Sequence, residues 1–171
     1  VKNFAEAAEA LAADADAKAI AGGQTLIPMM KLRLLKPGLL IDLGGIAEAR
    51  DMVLGDEIVE IGALARHGAI AKSELGSEFS ILRDCGGGIA DAQIRNMGTL
   101  GGSLAEADPC SCWPAVMVAL DAEVLCEGPE GERVQGVREL LADAYTPALD
   151  PGELITRIAI SREALEGMGT Y

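Results

Sequence analysis

The 171-residue sequence contains few aromatic side chains: two Phe, two Tyr and one Trp, or 3% of the chain. Half of the residues are nevertheless hydrophobic, so we expect a mostly aliphatic core. No apolar run is long enough to cross a bilayer, and no signal peptide precedes the first predicted helix. These absences predict a cytoplasmic protein that forms one domain or two small lobes.

Basic residues are also scarce. Fourteen Lys and Arg stand against 27 Asp and Glu, which gives a formal net charge of −13. Nucleic acids and anionic membranes are bound chiefly through neutralisation of their phosphates, so this charge argues against both as partners. A phosphate group bound by this chain would therefore need to be held by local backbone amides.

Histidine is nearly absent as well. The single histidine, His67, cannot form a catalytic triad alone, and no nucleophile motif accompanies it. We expect it to be a capping or hydrogen-bonded residue at the start of a helix. Trp113, the only tryptophan, is expected to anchor the core.

The four cysteines are Cys85, Cys110, Cys112 and Cys126. Because no secretory signal is evident, reduced thiols are expected rather than disulfides. Cys110 and Cys112 are separated by one residue, which is not the Cys-X-X-Cys spacing of common zinc or cluster sites. No metal site is assigned, although a metal-binding structural module built on the four thiols remains an alternative.

The periodicity of apolar residues predicts the local structure. It indicates a helix over residues 3–13, a strand over 18–21, a short helix over 25–32 and a buried strand over 39–43, which together make a small parallel α/β lobe. The pattern changes near residue 50. Two hairpins (52–61 and 122–135), four helices (66–72, 79–85, 113–120 and 137–141) and a final strand (154–161) are predicted beyond it.

Two glycine-rich stretches are the most informative part of the sequence. Residues 21–27 read Ala-Gly-Gly-Gln-Thr-Leu-Ile, and residues 99–103 read Thr-Leu-Gly-Gly-Ser. Glycine lets a ligand approach the bare backbone, and successive amides in such turns form a concave anion site that suits phosphate. The pair therefore suggests a diphosphate held between two tight turns.

With their flanks, residues 21–31 (AGGQTLIPMMK) and 94–103 (IRNMGTLGGS) resemble the two FAD-binding segments of the molybdenum hydroxylase flavoproteins. That family includes the medium subunit of carbon monoxide dehydrogenase and the flavin domain of xanthine dehydrogenase. The resemblance covers nearly the whole chain, and both segments occur in the expected order. A C-terminal domain typical of the family is expected to be absent.

The resemblance implies an α+β fold of the PCMH type, with FAD between two lobes. Residues 1–50 would form the N-terminal parallel α/β lobe, and residues 51–171 a larger lobe with an antiparallel sheet and helices. The implied FAD-binding residues are Ala21, Gly22, Gly23, Gln24, Thr25, Leu26, Ile27, Thr99, Leu100, Gly101, Gly102, Ser103, Asp108, Cys112, Ile155 and Tyr171. Family members often have an acidic residue where this chain has Cys112. Valine at Gly22 or Gly101 is expected to abolish FAD retention and to spare the fold.

In function, the resemblance implies an electron-transfer module of a molybdenum hydroxylase-type dehydrogenase. Its partners would be a molybdopterin-containing large subunit and a [2Fe-2S] small subunit, and FAD would pass electrons from the clusters to an external acceptor. No catalytic side chain is assigned, because the flavin carries the redox chemistry. A flavin-free scaffold subunit of such a complex is the main alternative.

Overall fold

A small lobe forms around two parallel strands near the N-terminus of the computed structural model, which describes residues 1–167. Its elements are α1 (Phe4–Ala13), β1 (Ala17–Ile20), α2 (Leu26–Lys31) and β2 (Leu39–Asp42). Strand β1 pairs with β2 in parallel, with Ala17 opposite Leu39 and Ile20 opposite Asp42. The predicted parallel α/β arrangement is therefore confirmed.

Strand β2 is less buried than the sequence predicted. Ile41 is buried, but Leu39 and Leu40 are 45% and 39% exposed. Helix α1 covers only one face of the two-stranded sheet, through Phe4 and Ala7, so Leu40 on the other face stays open to solvent. The prediction of a buried strand was wrong because a run of apolar residues does not show whether both faces of a sheet are covered.

The elements from β3 to α10 form a larger lobe, connected to the first by two short 3₁₀ turns, Leu43–Gly45 and Glu48–Arg50. Its elements are β3 (Met52–Leu54), β4 (Ile58–Gly62), α3 (His67–Lys72), α4 (Glu74–Glu78), α5 (Ser80–Gly88), α6 (Ala92–Arg95), α7 (Leu100–Glu106), α8 (Cys112–Ala119), β5 (Glu123–Gly128), β6 (Gly131–Gly136), α9 (Val137–Leu140), β7 (Leu154–Ser161) and α10 (Arg162–Gly167).

The strands of this lobe form one antiparallel sheet in the order β3-β4-β7-β5-β6. Both predicted hairpins are present, with Met52 opposite Ile61 and Glu123 opposite Gly136. The last strand, β7, lies between the two hairpins and pairs with both β4 and β5. The α+β fold is thus confirmed, and β7 makes the two hairpins into one sheet.

A mostly aliphatic core joins the helices of the larger lobe to its sheet, as the composition predicts, and Trp113 is fully buried within it. A second buried cluster connects the two lobes. In it, Leu64 and Leu154 of the larger lobe pack with Phe4, Ile41 and other apolar residues of the first lobe. This shared cluster fixes the two lobes relative to each other and so defines the cleft between them.

No helix within residues 1–167 has the length and the apolar character needed to span a lipid bilayer. The cytoplasmic location stays a prediction.

Candidate functional site

A cavity of about 280 Å³ lies where the two lobes meet. Both lobes contribute to its walls, and one glycine-rich segment reaches it from each side. The lining residues are Ala21, Asp42, Gly44, Arg50, Leu64, Arg66, Met97 and Thr99. Ligand sites commonly occur in such clefts between packed units of a fold.

The first glycine-rich segment leaves β1 and enters α2, and it contains three consecutive backbone N–H groups without an acceptor in the described chain. Gly23 has φ of 69°, a left-handed conformation that favours glycine, and Gln24 Nε2 donates to the Gly22 carbonyl oxygen at 2.9 Å. The hydrogen bonds within residues 1–167 do not use the backbone N–H groups of Gln24, Thr25 and Leu26, and Thr25 makes no side-chain cap. Consecutive free amides at a turn are donors suited to an anion.

The second segment has a different structure. Thr99 caps α7 by accepting a hydrogen bond at Oγ1 from the Gly102 N–H at 3.2 Å. The Leu100 and Gly101 N–H groups donate to the carbonyl oxygens of Ala65 and Ala63, at 3.0 and 2.9 Å. The predicted tight turn is therefore wrong: these residues form the first turn of a helix. Leu100 and Gly101 are buried with their amides occupied, so they are not free to bind phosphate.

The two segments lie in direct contact. A Cβ atom placed on Gly22 would lie 2.7 Å from Gly98 Cα and still closer to the carbonyl oxygen of Met97. Only a residue without a side chain allows this approach. The structure thus brings the two predicted segments together on the same side of the molecule, as a shared ligand requires.

The effect expected of valine at Gly101 needs correction. A Cβ atom there would lie 2.6 Å from Ala63 Cβ and 2.9 Å from the Ala63 carbonyl oxygen. Because Gly101 is buried and its neighbour is backbone, a larger side chain would disturb the packing of α7. A Cβ atom on Gly22 would likewise overlap the backbone of Met97 and Gly98. The expectation that valine at Gly22 or Gly101 spares the fold is therefore wrong.

The cavity is also lined by two arginines, Arg50 and Arg66, which the sequence analysis did not identify as site residues. Arg50 Nη2 donates to the Gly44 carbonyl oxygen at 2.7 Å, which holds its guanidinium at the wall. Arg66 is exposed at the start of α3. No salt bridge found within residues 1–167 involves either side chain. One carboxylate, Asp42, shares the wall with the two arginines, so the charged side chains of the cavity are net positive in a chain of net charge −13, which favours a negatively charged ligand.

His67 supports the second segment from behind. The backbone N–H of His67 donates to the Gly98 carbonyl oxygen at 3.1 Å. The ring Nδ1 of His67 accepts a hydrogen bond from Trp113 Nε1 at 2.9 Å. Burial lowers the pKa of His67 to about 4, so the ring is neutral at pH 7 and Nε2 carries the proton. The expected hydrogen-bonded role is confirmed.

Of the predicted FAD-binding residues that the structure describes, Ala21 and Thr99 line the cavity and the others do not. Asp108 accepts hydrogen bonds from the Cys110 N–H at 2.8 Å and from the Tyr145 hydroxyl at 3.1 Å, and Cys112 begins α8. Ile155 is buried in the core of the larger lobe. Tyr171 lies outside the described residues.

The hydroxyl of Ser103 contacts that of Ser111 at the N-cap of α8. Ser103 itself is half-buried in the middle of α7. It therefore connects the second segment to the next helix.

The cysteines do not gather into a metal site in the part of the chain that the structure describes. No group of three or more His, Cys, Asp or Glu side chains within residues 1–167 could hold a metal ion. Cys85 and Cys126 are buried, and burial, together with the neighbouring Cys112, raises the pKa of the Cys85 thiol to about 12. A buried thiol that stays protonated is unreactive and packs as a small hydrophobic side chain.

Comparisons with known proteins agree with this geometry. The protein family described as "FAD binding domain in molybdopterin dehydrogenase" matches residues 1–162. The chain is 40% identical over 146 residues to the 6-hydroxypseudooxynicotine dehydrogenase complex subunit alpha of Paenarthrobacter nicotinovorans, covering 85% of this chain and 49% of the relative. It is 42% identical over 146 residues to the carbon monoxide dehydrogenase medium chain of Afipia carboxidovorans, covering 85% and 51%.

Among solved structures, carbon monoxide dehydrogenase from Hydrogenophaga pseudoflava superimposes with a TM-score of 0.91 at 34% identity. The match covers 94% of this chain and 57% of that one. The chain thus spans about half the length of the relatives it matches.

Proposed function

This chain belongs to the family of FAD-binding domains of molybdopterin dehydrogenases, and from that premise we propose that it is the flavin electron-transfer module of a molybdenum hydroxylase-type dehydrogenase. FAD is the cofactor of the family. When bound, it would supply the redox chemistry, while the protein supplies binding, orientation and electrostatics.

The contact between the two glycine-rich segments at the interlobe cavity is the observation that supports this proposal most strongly. In this contact Gly22 meets the backbone of Met97 and Gly98, two positions before the free amides of residues 24–26. Ala21, Thr99 and two arginines line the cavity there. Amides and guanidinium groups are the donors that bind phosphate oxygens. This donor set fits the diphosphate of FAD and argues against a flavin-free scaffold.

Within the proposed site, the first segment has the larger role. Residues 21–27 would bind the diphosphate through their backbone, and the Arg66 guanidinium would offset its charge. Thr99, Gly102 and Ser103 would form the opposite wall. Leu100 and Gly101 would hold that wall in place through packing, and Asp108, Cys112, Ile155 and Tyr171 remain predicted contacts of other parts of the cofactor.

We further propose that residues 1–50 and 51–171 act as two lobes that clamp one FAD. The chain would work within a complex, because its relatives are named as a subunit and as a medium chain of dehydrogenases. Electrons would arrive from a [2Fe-2S] small subunit, after substrate oxidation in a molybdopterin-containing large subunit, and leave to an external acceptor.

Titration of the FAD-free protein with FAD tests the proposed site. We expect quenching of flavin fluorescence with one FAD per chain. Arg66→Gln should weaken binding about tenfold, because charge-assisted hydrogen bonds to phosphate contribute more than neutral ones. It should also reduce the dependence of affinity on salt concentration.

Arg138→Gln is the matched control, because Arg138 is an exposed arginine on α9 that does not line the cavity. If Arg66→Gln and Arg138→Gln bind FAD with equal affinity, Arg66 does not contribute to the site. A folded protein that does not bind FAD would refute the proposed function itself.

A further inference from the structure

The ring of His67 fills the space between Trp113 and the backbone of the second glycine-rich segment. At one edge of the ring, Nδ1 accepts the hydrogen bond from Trp113 Nε1 at 2.9 Å. The opposite edge faces Gly98: a Cβ atom on Gly98 would lie 2.5 Å from His67 Nε2 and 2.9 Å from His67 Cδ2. The imidazole is therefore in contact with the tryptophan on one side and with Gly98 on the other.

Gly98 in turn contacts the first glycine-rich segment. A Cβ atom on Gly22 would lie 2.7 Å from Gly98 Cα. Trp113, His67, Gly98 and Gly22 thus form a continuous series of contacts, which we call the His67 contact chain. It runs from the core of the larger lobe to the turn that precedes the free amides of residues 24–26 in the other lobe.

The middle of the His67 contact chain is held in place from both sides. The backbone N–H of His67 donates to the Gly98 carbonyl oxygen at 3.1 Å. On the far side, α5 packs closely against both rings' residues: a Cβ atom on Gly86 would lie 2.7 Å from the His67 carbonyl oxygen and 3.3 Å from Trp113 Cζ2. Because neither residue can withdraw without displacing α5, the size and shape of the imidazole fix the position of Gly98.

A simpler role for His67 is to satisfy the indole N–H of Trp113. Trp113 is fully buried, and its N–H would cost free energy without an acceptor. That role requires only an acceptor at the position of Nδ1. It does not require the Nε2–Cδ2 edge of the ring, or a glycine at position 98 to receive that edge.

We propose that His67 is a positioning residue for FAD, whose ring holds Gly98 against Gly22 and so keeps the two glycine-rich segments in the geometry that binds the cofactor. The inference rests on the proposed function, because it requires that FAD binds between these segments. It gives a residue outside the cavity wall a role in retaining the cofactor. A site held in its binding geometry before the ligand arrives binds more tightly, because less order is lost on binding.

His67→Asn separates the positioning role from the simpler one. The Asn side-chain oxygen can accept the hydrogen bond from Trp113 Nε1, but no atom replaces Nε2, the ring atom nearest to the Cβ position of Gly98. We expect the affinity for FAD to fall about fivefold, mainly through faster release, because residues 97–99 gain room to shift away from Gly22. Flavin fluorescence, recorded during titration of the FAD-free protein and after dilution of the loaded protein, measures both quantities.

Val124→Ala is the matched control. It removes the same number of non-hydrogen atoms from a fully buried position, on β5 in the core of the larger lobe and outside the cavity wall. It should lower the stability of the fold and leave the affinity for FAD unchanged.

The native chain offers a second test, because it contains a single His and a single Trp. Each ring therefore gives one set of signals in ¹⁵N NMR spectra, and neither ring lines the cavity. Titration with FAD should shift the indole N–H signal of Trp113 and the ring signals of His67, with the same saturation as the flavin fluorescence. If His67→Asn does not fold, this titration decides.

The outcomes separate this inference from the proposed function. Weaker FAD binding by folded His67→Asn, with native affinity in Val124→Ala, supports the inference. Native affinity and release rate in folded His67→Asn would overturn it, and so would an equal loss in Val124→Ala or ring signals that do not respond to FAD. A native chain that does not bind FAD would refute the proposed function and this inference with it.

Discussion

The two glycine-rich segments have similar sequences and different structures. In residues 21–27, the glycines form a turn, and the backbone N–H groups of residues 24–26 after it have no acceptor within the described chain. In residues 99–103, the glycines lie in the first turn of α7, where Thr99 caps the helix and Gly101 packs on Ala63. The first segment therefore offers its backbone to a ligand, whereas the second uses its backbone to hold the wall of the cavity.

This difference shows that a pair of glycines can meet two separate physical requirements. At Gly23 the requirement is a positive φ, and at Gly22 and Gly101 it is the absence of a Cβ atom beside neighbouring backbone. A glycine pair in the sequence does not distinguish these cases, because the neighbouring atoms come from distant parts of the chain.

The largest expected change in the free energy of unfolding comes from substituting Gly101, which is tightly packed, and it is compared with a substitution of a helical glycine that has space around it. Gly101→Val should lower the free energy of unfolding by about 3 kcal/mol or more, because the new side chain would overlap Ala63 in a packed interior. Urea denaturation followed by circular dichroism measures this loss. The control is Gly87→Ala in α5, whose Cβ would meet Ala71 Cβ at an ordinary 3.9 Å, and which should be neutral or slightly stabilising. A wild-type unfolding midpoint for Gly101→Val would contradict the close packing of Gly101 on Ala63.

A second prediction concerns the support that His67 gives to the second segment. The folded-state pKa of His67, about 4, lies below its ordinary value of 6.5, so the unfolded chain binds a proton first as the pH falls. The free energy of unfolding should therefore be fully retained above pH 6.5 and decrease by about 3 kcal/mol as the pH falls to about 4, since a tenfold change in proton affinity corresponds to about 1.4 kcal/mol.

Urea denaturation across this pH range should be compared between the native chain and His67→Gln, which removes the titrating ring. The Asp and Glu residues titrate in both proteins, so the difference between the two curves isolates His67. Parallel curves would contradict a buried neutral histidine.

The smallest expected change in stability comes from substituting the N-cap residues of the two segments, Thr25 and Thr99. Thr99→Ala should lower the free energy of unfolding by about 1 kcal/mol, because it removes the hydrogen bond to the Gly102 N–H. Thr25→Ala should change stability by less than about 0.5 kcal/mol, since Thr25 makes no side-chain cap. Thermal unfolding of both variants measures the difference, and equal losses would mean that the two segments are capped alike.

Much of the fold could be predicted from local patterns. The periodicity of apolar residues predicted α1, β7 and both hairpins near their observed positions. It missed the short helices α4, α6 and α7, although each begins with a capping side chain: Ser73, Asp91 and Thr99. Helices of four to seven residues have too few turns for periodicity to show, so their caps were the available signal.

The site was predictable in part. The motif residues indicated the first segment and its ligand, but not the cavity wall around it. Arg50 and Arg66 come from separate loops without a motif, and they reach the same cavity only because the buried cluster around Leu64 fixes the lobes. The apparent likeness of the two glycine pairs also led to the wrong structure for residues 99–103.

The sequence by itself determined the local elements, the acidic charge, the two glycine-rich segments and, through the order of these segments, the FAD-binding family. These features depend on neighbouring residues or on short motifs. Only the tertiary structure decided that β7 joins the hairpins, that Gly101 is a packing residue, and that two arginines face the cavity. Those features depend on atoms far apart in the chain, and their positions are set by packing rather than by local preference.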